Sequence, residues 1–124
     1  MEYNSENIFA KILRHEVTCQ KIYEDDYALA FHDINPRAKI HALVIPKGAF
    51  VSSLDFHATA ADQQIVGYYR AIDKVIELLG LKAGKGYRLL SNSGINAGQE
   101  VPHFHTHIFA GQPLGPMICV ETEK

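Results

Sequence analysis

The 124 residues are 47% hydrophobic and 21% charged, with 12 Lys and Arg against 14 Asp and Glu, a composition that fits one globular domain over residues 1–124. The near balance of charge excludes the broad basic face through which nucleic acids are held by counterion release. No apolar run approaches the roughly 18 residues of a membrane span, and the N-terminus lacks a signal peptide's basic and apolar regions. The expected protein is therefore cytoplasmic, with no nucleic-acid and no membrane partner.

Ser5 as a cap, with Ile8, Phe9, Ile12 and Leu13 on one face, predicts a short first helix ending near His15. Residues 17–23 and 27–32 have strand character around the acidic turn Glu24-Asp25-Asp26 and read as a hairpin. Asn35-Pro36 marks a loop, and residues 40–45 run into Pro46 and Gly48 as the best candidate for a central buried strand. A long helix is predicted from Thr59, where Thr59 and Asp62 have capping-box spacing, through Leu79 to the glycines Gly80 and Gly84. Residues 87–91 read as a strand, residues 92–102 as a glycine-containing loop, and a last strand begins at His103. This order implies an α+β fold: an antiparallel sheet of about five strands with one long and one short helix. Cys19 and Cys119 have no companion at C-x-x-C spacing and read as free thiols.

Three of the seven histidines fall within five residues, His103-Phe104-His105-Thr106-His107, followed by Ile108-Phe109. On a strand with a rise of about 3.3 Å per residue, the three imidazoles share one face at intervals of roughly 6.6 Å, and Phe104, Thr106 and Ile108 face the core. Such a row is a costly way to decorate a surface, because imidazoles titrate near neutrality and repel one another when charged. Two chemical readings of the residues stand side by side. One is a metal site completed by His41 or a carboxylate; the other is nucleophilic catalysis at phosphorus, with one imidazole attacking while its neighbours orient it. The upstream loop, with Gly94, Gly98 and free backbone N–H groups, can cradle an anion and favours the second.

The segment His103-Phe104-His105-Thr106-His107-Ile108-Phe109 resembles the signature of the histidine triad (HIT) family. The likeness to its Hint-type branch extends through Ile8-Phe9-Ala10-Lys11-Ile12, residues 30–36, residues 41–47 and Gly98-Gln99. The resemblance implies an HIT-like fold and a hydrolase or transferase that cleaves purine nucleoside 5'-phosphoramidates through a nucleotidyl-histidine intermediate. Neighbouring alternatives are dinucleoside polyphosphate hydrolysis and nucleotide binding with incidental catalysis. By the same resemblance His105 is the nucleophile, supported by His103, His107 and His41. Asp33 takes the ribose hydroxyls, and Ile8, Phe9, His32 and Ile34 wall the base, together with Val17, Phe31 and Leu43. Asn92, Gly98, Gln99, Glu100 and Val101 lie on the phosphate side. No cofactor and no metal are implied. The partners are a purine nucleoside monophosphate or its phosphoramidate and a second copy of the chain, with Tyr68 and Tyr69 widening the apolar stripe of the long helix. The chain departs from the family at Thr106, a hydroxyl in place of an apolar spacer that needs a partner in the core. It departs also at Glu100, a carboxylate beside the expected phosphate. Asn7 and Ala10 replace the paired zinc cysteines of some relatives, and Ala110-Gly111 replaces a common Gly-Gly.

Overall fold

The computed structural model describes residues 2–119. Its centre is a five-stranded antiparallel sheet in the order β1-β2-β3-β5-β4, formed by Lys21–Glu24, Ala28–His32, Ile40–Pro46, Thr106–Ala110 and Tyr87–Leu90 as β1, β2, β3, β5 and β4. The strand predicted as central, β3, is the middle one. The first strand starts at Lys21 and ends at Glu24, shorter than the expected 17–23, and carries a bulge between Lys21 and Tyr23. The hairpin closes on Asp25, whose Oδ1 accepts from the N–H groups of Tyr27 and Ala28 at 2.7 and 3.0 Å.

Alternation along the strands divides the core. Ala28, Ala30, Ala42, Val44, Ile108 and Ala110 face a long helix, where they pack with Tyr68, Ala71, Ile72, Val75 and Ile76. Leu29, Phe31, Leu43 and Ile45 face the other way and pack with Phe9 and Ile12 of the first helix. Helices thus cover both sheet faces, α1 (Ile8–Leu13) on one and α3 (Asp62–Leu78) on the other. The alanines on the α3 side let that helix lie close to the sheet. Gly67 serves the same end, because a Cβ there would meet ring carbons of Tyr27 at 2.3 Å.

The helix count differs from the expectation of one long and one short. A separate helix, α2 (Ser53–Thr59), precedes α3. Its start is a complete capping box: the Ser52 side chain accepts from Leu54 N–H at 3.2 Å, and the Asp55 carboxylate accepts from Ser52 N–H at 2.8 Å. Thr59 ends this helix, donating its hydroxyl to Asp55 O, while α3 begins after Ala61 with no side-chain cap. The cap of α1 likewise shifts from Ser5 to Asn7, whose side chain accepts from Ala10 N–H at 2.8 Å. Gly80, at φ +73°, follows the end of α3 as predicted, and Gly84 instead closes a 3-10 turn over Leu81–Ala83. Cys19 and Cys119 are free. Among the described residues no helix is long and apolar enough to cross a membrane.

Candidate active site

The histidine segment enters the sheet later than its pattern suggested. Pairing of β5 with β3 starts at Thr106 opposite Val44, so His103, Phe104 and His105 precede the strand. Their backbone is satisfied elsewhere: Phe104 N–H donates to Phe50 O, and the Ser91 hydroxyl donates to His105 O. The alternation survives all the same. Phe104, Thr106 and Ile108 are buried on the α3 side, and the rings of His105 and His107 meet edge to face at 5.0 Å on the other. His103 is wholly buried beneath them.

Thr106 has the partner its hydroxyl requires. The phenol of Tyr68, itself 0% exposed, lies 2.8 Å from Thr106 Oγ1 and donates to Val44 O at 2.8 Å. Tyr68 therefore belongs to the chain's own interior, and only Tyr69 of the expected pair reaches the surface.

The hydrogen bonds fix the tautomers. Arg37 N–H donates to His41 Nδ1 at 3.1 Å, so the proton of neutral His41 sits on Nε2, from which it is donated to His107 Nδ1 at 2.9 Å. The proton of His107 is thereby placed on its Nε2. His105 Nδ1 lies 2.7 Å from the carbonyl of His103, which can only accept, so Nδ1 carries the proton and Nε2 keeps its lone pair. The same logic at His103 puts its proton on Nε2, facing Pro46 O at 3.0 Å, and leaves Nδ1 to accept from the Tyr3 hydroxyl. Phe109 backs the arrangement, stacking on His107 and lying 4.2 Å from His41 between ring centroids.

Burial holds these imidazoles in the neutral form. It pushes His103 and His107 down to about 4, with the neighbouring His105 adding to the effect in both, and it lowers His41 and His105 in the same direction. Asp33 opposes the shift at His41 and His105, its Oδ2 lying 3.4 Å from His41 Nε2. Asp33, His41 and His107 offer ligand atoms within 4.8 Å of one another. The tautomer speaks against a metal role for this set, because the proton on His41 Nε2 occupies the lone pair an ion would need.

These groups line a cavity of about 300 Å³ on the α1 side of the sheet, the size at which small-molecule sites begin. Ile8 and Phe9 of α1 form one wall, His32, Asp33 and Ile34 at the end of β2 another, and Asn92, Gly98, Glu100 and Val101 a third. Ile34 is 86% exposed at the rim. Of the predicted site residues, His103 and Gln99 do not line it. The Gln99 amide is turned away from the cavity and ties its loop to the start of α2: its N–H groups donate to Val51 O and Val101 O, and its oxygen accepts from Gly94 N–H. It braces the loop. Thr18, Cys19 and Arg37 line the cavity without having been anticipated. Arg37 answers the difficulty posed by Glu100, since its guanidinium lies 3.5 Å from that carboxylate at the cavity mouth. A carboxylate next to an anion site needs a cation, and that requirement was the one signal in the sequence for Arg37.

An HIT-domain family model matches residues 14–114. The chain is 55% identical over 116 residues to an uncharacterised 13.2 kDa HIT-like protein of Azospirillum brasilense, covering 94% of each. It is 40% identical over 115 residues to the purine nucleoside phosphoramidase of Escherichia coli K12, covering 92% of this chain and 94% of that one. Among solved structures it is similar to a HIT family hydrolase from Clostridium thermocellum, with a TM-score of 0.82, 38% identity, and coverage of 94% of this chain and 99% of that one. An open five-stranded antiparallel sheet carrying buried neutral histidines, a family match across most of the chain and relatives that include hydrolases lead to one assignment: the chain belongs to the HIT family and is a hydrolase.

Proposed function

We propose that the protein hydrolyses purine nucleoside 5'-phosphoramidates, with His105 as the nucleophile. The observation that carries this reading is the bond from His105 Nδ1–H to the carbonyl of His103 at 2.7 Å. It leaves a neutral imidazole with the Nε2 lone pair free in a ring that lines the cavity. Attack by Nε2 on the α-phosphorus forms a P–N bond to the ring and breaks the P–N bond to the leaving group, whose nitrogen takes a proton from solvent and departs as the neutral amine. The positive charge that develops on the ring is stabilised through Nδ1–H by the His103 carbonyl. His107 Nε2–H, oriented by the proton that His41 donates to its Nδ1, is a donor for a phosphoryl oxygen. Water then attacks the same phosphorus and gives up a proton to solvent, releasing the nucleoside monophosphate and restoring the neutral imidazole.

Asp33 offers carboxylate oxygens suited to a ribose diol, and Ile8, Phe9 and Ile34 offer apolar surface to a purine. Gly98, Val101 and Asn92 serve the phosphate side, where Glu100 is held by Arg37. The E. coli relative named for this activity supports the substrate class. No metal is required, since the nucleophile is already unprotonated and fixed donors face the phosphate. The working unit is proposed to be a homodimer. Val66, Tyr69 and Leu78 on α3 and Leu89 on the edge strand β4 are exposed apolar residues that a second copy would cover.

The test is hydrolysis of an adenosine 5'-phosphoramidate bearing a fluorescent amine, in chelator, by wild type and by His105→Ala. Turnover by the wild type and none by the variant, with AMP binding retained in both, is the expected result. Turnover by the variant would remove His105 from the nucleophile's role.

A further inference from the structure

We propose that Tyr3 is a positioning residue of the histidine centre: its hydroxyl fixes the ring of His103, and His103 in turn holds His105 ready for attack. The inference rests on the reading of His105 as nucleophile and extends it to a residue outside the matched HIT segment of 14–114.

Tyr3 stands in the stretch before α1, which is folded back on the helix start by two bonds to Asn4 O, from Asn7 N–H at 3.2 Å and from Asn7 Nδ2 at 2.7 Å. Its hydroxyl lies 2.5 Å from His103 Nδ1, with the two rings edge to face at 5.6 Å. His103 is 0% exposed, so both of its ring nitrogens must find protein partners. Pro46 O takes the proton of Nε2, and the lone pair of Nδ1 is left to Tyr3.

Without that O–H, Nδ1 becomes a buried acceptor with nothing to accept. Its remedies are to change tautomer, which breaks the Pro46 bond, to turn the ring, or to take up a second proton. Each moves the residue whose own carbonyl receives the His105 Nδ1 proton, and so each moves the nucleophile. Phe9, 6.3 Å from the His103 ring and 5.0 Å from the His105 ring, packs against both and passes a rotation of one to the other. His103 does not line the cavity. The consequence of losing the hydroxyl is therefore a slower chemical step, with substrate affinity preserved.

The experiment compares wild type, Tyr3→Phe, His103→Gln and the double variant, each as the full chain and each checked for folding by thermal melt. Steady-state kinetics use the fluorescent phosphoramidate, and 15N-labelled histidine reports the protonation of each ring nitrogen. A displacement of 1 Å can cost on the order of 100-fold in rate. Tyr3→Phe is expected to lower kcat by roughly ten-fold or more with KM within about two-fold, and to shift the His103 Nδ1 resonance. It should have no further effect on kcat once His103 is glutamine. An unchanged kcat, or an equal loss in the His103→Gln background, overturns the proposal. If the phosphoramidate reading itself fails, the resonance still decides: a His103 Nδ1 signal identical in wild type and Tyr3→Phe overturns the positioning role whatever the substrate.

Discussion

Replacing Tyr68 by phenylalanine removes a single oxygen from the interior, and the structure says what it was doing. That oxygen is bonded at 2.8 Å to both Val44 O and Thr106 Oγ1, in a side chain that is 0% exposed. It joins α3 to β3 and β5 beside the residue that separates His105 from His107. Tyr68→Phe leaves the Thr106 hydroxyl buried without this partner, and a stranded buried polar group costs about 1–3 kcal/mol. Thr106→Val is milder, since Tyr68 keeps its bond to Val44, and the net worth of one intramolecular hydrogen bond is about 0.5–1.5 kcal/mol. The double variant strands neither hydroxyl and should be more stable than the sum of the singles implies, with a coupling of about 0.5–3 kcal/mol. Urea unfolding of the four proteins, with m unchanged across the set, measures each value. A Tyr68→Phe protein within about 0.5 kcal/mol of wild type, or single effects that add without coupling, would refute this account of the pair.

Stability should also follow pH through the buried histidines. An unfolded histidine titrates near 6.5, whereas burial pushes His103 and His107 down to about 4. Between these values the unfolded chain binds protons that the folded chain refuses. Their contribution is present in full above pH 6.5 and is lost as the pH falls toward 4. For His103 the drop amounts to about 3 kcal/mol, and urea midpoints that stay level from pH 7 to pH 4.5 would contradict it. Gly67→Ala gains about 1 kcal/mol of helix propensity but forces a Cβ to 2.3 Å from ring carbons of Tyr27, whose hydroxyl also accepts from Gln63. Overpacking of this kind costs about 1–3 kcal/mol. A lowered melting temperature is expected, and a raised one would show that Tyr27 moves freely.

Much of this was legible in residues that combine a period with a boundary. The central strand β3 announced itself by a continuous apolar run ended by Pro46 and Gly48. The placement of Phe104, Thr106 and Ile108 toward the core followed from alternation alone, and alternation held even where the ladder did not. Helix α2 was missed because capping-box spacing occurs twice between residues 52 and 62 and only the second was read as a helix start. Ser52 and Asp55 form the real box, whereas Thr59 and Asp62 only share its spacing, the Thr59 hydroxyl being turned back to Asp55 O. Hydrogen bonds between residues remote in sequence have no local signature. The bonds of Tyr3 with His103 and of Tyr68 with Thr106, and the ion pair of Arg37 with Glu100, appear only once the fold brings those residues together.

The N–H of Arg37 on His41 Nδ1 sets the tautomer of His41, and with it what this constellation offers a ligand. With that hydrogen in place the proton of His41 is committed to Nε2, and His41 with His107 makes a one-directional string of donors ending in the cavity. Proline at position 37 would have no hydrogen to give. Nδ1 could then carry the ring proton, the Nε2 lone pair would turn toward Asp33 and His107, and the same three side chains would present a divalent cation with an open set of ligands. On the proposed reading of His105, one backbone hydrogen atom at this point in the chain separates the support of an organic nucleophile from an open set of metal ligands.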